Sequence, residues 1–125
     1  MVERDEDCPF CNIRAPILES ELAFVIFDKY PVNPGHALIV PKRHIENFFE
    51  VTPYEFIAMF SLLTQMRRGT DTQLAPDGYN IGINVGEAAG QTVKHLHMHL
   101  IPRFYGDMEN PRGGVRGVIP SRQSY

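Results

Sequence analysis

The sequence predicts an α+β domain built on an antiparallel sheet, and three observations carry that prediction. Short apolar runs rich in Val, Ile and Phe recur at 22–28, 36–41 and 78–85, where β-branched and aromatic residues favour strands. One capped amphipathic segment begins at Thr52. The strands follow one another around that segment without regular strand-helix-strand alternation, which points away from a parallel sheet. A chain of 125 residues is ordinary for a single domain, here residues 1–125.

Taken in order, "LAFVIFD" from Leu22 to Asp28 reads as a buried strand, "KYPVNPG" as a turn, and "HALIVP" from His36 to Pro41 as the returning strand of a hairpin with a long connection. Thr52, Pro53 and Glu55 then place an N-cap, a proline at the first helical position and a capping-box carboxylate in register. Phe56, Met59, Phe60 and Leu63 repeat at helical spacing, so the helix is expected to bury that face as far as about Gly69, before "APDG". "GYNIGINV" from Gly78 to Val85 is the third strand, and "QTVKHLHMHLIPR" is its partner across the glycine-rich turn "GEAAGQT". The tail, 106–125, has no lasting period and is expected to pack on something, since Val115, Val118 and Ile119 would otherwise be exposed.

Composition narrows the function. A formal charge of −3 without a run of Lys or Arg argues against binding a nucleic-acid backbone, while leaving room for a small phosphorylated ligand. The acidic start "MVERDEDCPFC" lacks the order of a signal peptide, and no apolar run approaches the length needed to span a bilayer. The expectation is a cytoplasmic protein with no membrane partner, whose two cysteines are thiols or ligands and not staples.

In a strand, residues two apart share a face. His95, His97 and His99 would therefore form a row, with Leu96, Met98 and Leu100 turned to the core. Such a row has three readings: satisfied surface histidines, a three-imidazole catalytic metal site, or groups with divided roles. Cys8 and Cys11 form C-x2-C, a two-ligand bite for zinc that needs two further N or S donors, and His44 and His95 are the candidates. A redox pair is the competing reading, although no strand precedes Cys8. With His95 committed to a structural zinc, His97 and His99 remain for chemistry beside a turn whose N–H groups, Gln91 and Thr92 offer donors to phosphate oxygens.

"HLHMHLI" fits the His-φ-His-φ-His-φ-φ pattern, and with "PVNPGHALIVPKRH", "GINVGEAAGQTVKHLHMHLIPR" and the N-terminal C-x2-C the chain resembles the histidine triad family, its zinc-carrying bacterial members in particular, over about residues 8–105. The resemblance implies a five-stranded antiparallel sheet with one main helix and a short second helix, joined into a homodimer. It implies a nucleotide hydrolase or transferase acting on the α-phosphate of purine nucleotide conjugates, such as dinucleoside polyphosphates or nucleoside phosphoramidates. His97 would be the nucleophile, forming a nucleotidyl-histidine intermediate, with His99 on the leaving-group side and His36 completing the catalytic cluster. Asp28 falls at a ribose-binding position, Asn84, Gln91 and Thr92 at positions holding phosphate or ribose oxygens, and Phe10 and Ile13 along the base. Zinc on Cys8, Cys11, His44 and His95 would be structural, with no organic cofactor. The alternatives carried forward are a catalytic metal held by the histidine row, and a nucleotide-binding scaffold with incidental catalysis.

Overall fold

The computed structural model describes residues 5–125; the first four residues of the acidic N-terminus lie outside them. Five strands form one antiparallel sheet: β1 (Leu18–Glu19), β2 (Ala23–Phe27), β3 (Ala37–Pro41), β4 (Gly78–Ile83) and β5 (Met98–Arg103), in the order β1-β2-β3-β5-β4. Both hairpin pairings expected from the sequence are present, β2 with β3 and β4 with β5, and β3 also pairs with β5 to join them. The elements are shorter than the apolar runs, since β4 stops at Ile83 instead of Val85. The two-residue β1 is too short to carry a periodic signal of its own.

One face of the sheet is the core. Ala23, Val25, Ala37, Ile39, Met98 and Leu100 project from it against the helix α1 (Pro53–Leu74), and each large apolar side chain removed from water there contributes about 1.5–3 kcal/mol. Helix α1 begins as the sequence predicts: the Thr52 hydroxyl accepts from the Glu55 N–H, and the Glu55 carboxylate accepts from the Thr52 N–H. Its end and its buried face both differ from expectation. The helix runs through Gly69 to Leu74 and stops where Ala75 turns left-handed ahead of Pro76, because one exposed glycine costs a helix only about 1 kcal/mol. Met59, Leu62, Leu63 and Met66 meet the sheet, whereas Phe56 is 42% and Phe60 56% exposed. The seam is set by Met59 and Leu63 continuing to Met66 and Thr70, which leaves the two phenylalanines on its flank.

The short second helical element takes the form of 3-10 turns, one of them at Phe48–Glu50 just ahead of α1. The tail coils into 3-10 turns at Gly114–Val118 and Pro120–Arg122, and in the single chain Val115, Val118 and Ile119 are exposed. It is held by polar contacts, with Arg116 donating to the Arg122 and Gln123 carbonyls and Arg112 and Arg116 both 4.9 Å from the Tyr125 ring centre. Among the described residues no helix is long and apolar enough to cross a membrane.

Glu55 joins the cap to a charge. Its buried carboxylate accepts from Arg43 Nε at 3.0 Å and an Arg43 terminal nitrogen at 2.8 Å, and that pairing holds its pKa below the ordinary value. A depressed carboxyl contributes stability that is present above its unfolded pKa of about 4.3 and is lost as pH falls through the lower folded value. Glu55→Gln is expected to lose about 1.5–3 kcal/mol at neutral pH, the range for hydrogen bonds to charged groups. In urea unfolding the difference from wild type should shrink as acid neutralises the wild-type carboxyl; a difference independent of pH would contradict this account.

Candidate functional site

The second face of the sheet is open in part, with Phe24, Leu38 and Val40 buried in it and Ile26 and His99 half-buried. Phe24, Ile26, Leu38 and Val40 form its apolar floor, with Phe10 and Ile13 packed against it. His99 stands on the same face, between Leu38 of β3 and Gly82 of β4 in the cross-strand register. The absent side chain of Gly82 leaves space beside the imidazole. The sequence does not single out the floor residues as functional, although the continuous apolar runs in "LAFVIFD" and "HALIVP" carry the signal of strands apolar on both faces.

The histidine row is not one strand. Strand β5 begins at Met98, so His95 and His97 lie in the segment entering it. That segment is placed by the Leu96 N–H, which donates to the Ile45 carbonyl at 2.7 Å, while the Leu96 side chain is fully buried in the core. The same bond draws the segment against the loop after β3, which carries His44.

His95 turns away from the other two. Its Nδ1 lies 3.3 Å from Cys8 Sγ, 3.5 Å from Cys11 Sγ and 3.1 Å from His44 Nδ1, and Cys11 Sγ lies 3.3 Å from His44 Nδ1. A tetrahedron with zinc–sulfur and zinc–nitrogen bonds of about 2.3 and 2.0–2.1 Å has S···N and N···N edges of about 3.6 and 3.3 Å. The observed edges fall within a few tenths of an ångström of these, and the donor set closes at four. Behind the cluster, His95 Nε2 donates to the Pro41 carbonyl at 2.8 Å. Its proton is thereby held on Nε2 and the Nδ1 lone pair faces the cysteines, the arrangement a metal-ligating histidine adopts. Burial pushes the Cys8 thiol above its ordinary pKa, so a cation is what would allow the thiolates to form there.

His97 is half-buried. Its Nδ1 donates to the His95 carbonyl at 2.9 Å, which leaves the lone pair on Nε2. Phe10 stacks edge-on to this ring, 5.1 Å between centres, and also to His95 at 6.0 Å. Phe10 is placed by a 3-10 turn, Pro9–Asn12, that starts immediately after Cys8 and contains Cys11, so the C-x2-C segment also supplies an aromatic wall to the open face.

The remaining pair is ordered by a backbone donor. The Val32 N–H donates to His36 Nδ1 at 3.0 Å, so the His36 proton resides on Nε2. That N–H points to His99 Nδ1 at 2.9 Å, with Asp28 Oδ2 3.5 Å away. His99 accepts on Nδ1 and therefore carries its own proton on Nε2. The donor atoms of Asp28, His36 and His99 also converge within 4.8 Å. They do not suit a metal, because His36 backs onto an N–H donor and must keep a proton on the nitrogen that faces the group. His97 joins neither converging cluster among the described residues, so the row of three does not gather around one ion.

The loop residues divide. Gln91 is buried and fully engaged: its amide oxygen accepts from the Gly86 N–H, and its amide N–H groups donate to the Glu46 and Val93 carbonyls. The expectation that it offers donors to phosphate is corrected on this ground, since its amide shapes the turn. Thr92 is exposed and Asn84 half-buried at the end of β4, while Asp28 accepts from the Tyr30 N–H at 2.8 Å through its other oxygen.

Burial, then the neighbouring His97 and His36, push His99 down to about 4, and burial likewise lowers His36. The unfolded chain binds a proton at His99 near pH 6.5, which the folded state refuses until about 4. Stability should therefore decline as pH falls across that window and the decline from this group should cease below it. An NMR titration should find the His99 ring neutral through pH 5; a midpoint near 6.5 would contradict the account.

Comparison with known proteins agrees with the geometry. A family model described as the HIT domain matches residues 13–106. A zinc-bound histidine triad protein of Mycobacterium smegmatis superposes with a TM-score of 0.74 at 35% identity, covering 83% of this chain and 80% of that one. Among curated relatives, an AP-4-A phosphorylase of Mycobacterium tuberculosis is 32% identical over 73% of this chain and 47% of its own length. An adenylylsulfatase of Arabidopsis thaliana is 36% identical over 78% and 52%. A sheet with one buried and one open face, carrying the divided histidine row and matched by the HIT model over most of its length, makes this chain a member of the histidine triad family.

Proposed function

We propose that this protein is a nucleotide hydrolase or transferase that acts on the α-phosphate of purine nucleotide conjugates, dinucleoside polyphosphates or nucleoside phosphoramidates, through a nucleotidyl intermediate on His97. The observation that carries this reading is the bond from His97 Nδ1 to the His95 carbonyl, which presents the Nε2 lone pair to the open face. The names of the two curated relatives support it: one phosphorolyses AP-4-A and the other acts on an adenylyl sulfate, substrates that share an adenylyl group and differ in what leaves.

In the proposed sequence His97 Nε2 attacks the α-phosphorus, the P–N bond forms as the bond to the leaving group breaks, and the leaving group departs with that electron pair and takes a proton from water. The ring becomes cationic, and the hydrogen bond to the His95 carbonyl strengthens with that charge. His99 directs its Nε2–H at a phosphate oxygen, acting as a donor without surrendering the proton, and His36 fixes that orientation. Phe10, Ile13 and Ile26 hold the base, Asp28 the ribose, and Asn84 and Thr92 the phosphate. Water then cleaves the P–N bond and restores neutral His97. Zinc on Cys8, Cys11, His44 and His95 would supply structural closure, with no organic cofactor required.

A second copy of the chain is part of the proposal. Tyr54, Ile57 and Phe60 are exposed on α1, and β4 lies at the edge of the sheet, which together offer a surface and a strand edge to cover. Sedimentation should find a dimer that Ile57→Asp weakens; a wild-type monomer at micromolar concentration would overturn it.

A slow phosphoramidate or dinucleoside polyphosphate, quenched during turnover, should add one nucleotidyl mass to the protein. His97→Asn should lose that adduct and about a thousandfold or more in kcat, and undiminished turnover in this variant would sink the mechanism. Metal analysis should return one zinc per chain, kept in His97→Asn and lost in Cys8→Ala. Zinc lost from the first and kept in the second would place the ion on the histidine row.

A further inference from the structure

The proton arrangement at His36 depends on the position of one backbone N–H, and the residues around Val32 do little to hold it by packing. Tyr30 and Val32 are largely exposed, so the turn between β2 and β3 has no apolar anchor at its tip. Its fixed points are polar. The His36 N–H donates to the Asn33 carbonyl at 3.1 Å, and the Asn33 side-chain amide donates outward, to the Pro102 carbonyl at 3.0 Å and to Asp107 Oδ2 at 2.8 Å.

We propose that Asn33 and Asp107, neither of which touches an imidazole of the cluster, are positioning residues that determine which nitrogen of His36 carries its proton. Asp107 is a junction. It accepts from Arg103 Nε and a terminal Arg103 nitrogen, both at 2.7 Å, and from the Phe104 N–H at 3.0 Å. Arg103 in turn donates to Asn80 Oδ1 on β4. Pro102 and Arg103 are residues of β5, the strand that bears His99. Asn33 thus measures the β2–β3 turn against the same strand that carries the partner of His36, and the Val32 N–H is delivered to His36 Nδ1 as a consequence. Gly35 completes the geometry: its φ of +84° is open to glycine, and a Cβ there would meet Leu74 Cδ1 at 2.7 Å.

Without these contacts the turn keeps its internal bonds, Tyr30 N–H to Asp28 Oδ1 and His36 N–H to the Asn33 carbonyl, but loses its ties to Pro102 and Asp107; the Val32 N–H then drifts from Nδ1, and His36 is able to hold its proton on either nitrogen. In the Nδ1–H form the ring presents a lone pair to His99, whose own proton then moves to Nδ1 to complete the contact. The Nε2 of His99 would change from donor to acceptor. An acceptor facing an anionic phosphate oxygen repels it.

The test reads the rings directly, by 15N NMR of the histidine side chains in the full chain. Wild type should show His36 as the Nε2–H form. Asn33→Ala should show a mixture of the two neutral forms, and Asp107→Asn, which keeps the planar shape of the carboxylate while losing the charge paired with Arg103, a smaller shift in the same direction. Val32→Ala retains the backbone N–H and removes only an exposed side chain, so its His36 should match wild type. An unchanged His36 in folded Asn33→Ala and Asp107→Asn overturns the assignment, as does a Val32→Ala shift as large as that of Asn33→Ala; should Asn33→Ala not fold, Asp107→Asn alone decides. The consequence for turnover rests on the nucleotidyl-transfer reading: kcat in Asn33→Ala should fall by about 10- to 100-fold with KM little changed, the scale of a misplaced catalytic group. A changed ring with unchanged kcat would uphold the positioning and count against that reading.

Discussion

The peptide and ring of His95 hold the structure's two halves of chemistry together. Its Nε2–H is fixed by the Pro41 carbonyl at the end of β3, its Nδ1 faces Cys8, Cys11 and His44, and its own carbonyl receives the His97 Nδ1–H. The next residue, Leu96, is locked by a backbone bond to Ile45 and by a fully buried side chain. The orientation of His97 is therefore inherited from the Cys-His cluster and from the core at once. A rotation of the His95 peptide would misdirect the His97 ring, and a loss of the cysteine cluster would release the N-terminal turn that places Phe10 against that ring.

What stands behind each imidazole decides what it presents in front. His95 and His97 both back onto carbonyl acceptors, so each shows a lone pair, one to the cysteines and one to the open face. His36 backs onto an amide donor and shows an N–H. The signal passes through His99 and inverts nothing, because each ring accepts on one nitrogen and donates from the other. Two clusters with converging donor atoms thus differ in kind: one suits a cation and the other is already joined by a proton. Backbone groups with no side-chain identity make that distinction, which is why the residue types alone left a catalytic metal on the histidine row open.

The fold was largely legible because its strongest signals are local. The Thr52–Glu55 cap and the alternation of Leu96, Met98 and Leu100 each follow from a few adjacent residues, and each stands where it was expected. Phe56 and Phe60 were misplaced because periodicity records which side chains are apolar and not which stripe faces inward; Met59 and Leu63 fit both stripes, and Met66 and Thr70 extend only one. His95 and His97 alternate as a strand does, yet strand structure needs a partner, and pairing with β3 begins only at Met98. Gln91 was misassigned for a related reason. A polar side chain beside a glycine turn can serve a ligand or the turn, and the choice rests on the Glu46 carbonyl, 45 positions away in sequence.

The site's electrostatics follow from these orientations and not from formal charge. Burial keeps His36 and His99 neutral, Asp28 contributes a negative charge beside them, and the chain as a whole carries −3. A cationic cluster would hold an anionic phosphate equally well before and after reaction, which lowers the energy of the bound substrate as much as that of the transition state. Fixed N–H dipoles act over a shorter range and favour the geometry in which the oxygen lies directly ahead of them. On the nucleotidyl-transfer reading, a site of oriented neutral imidazoles discriminates by position more than by charge. On that reading a leaving group would have little to gain from this cluster beyond its link to the α-phosphorus, so the site would constrain the α-phosphate more tightly than what departs from it.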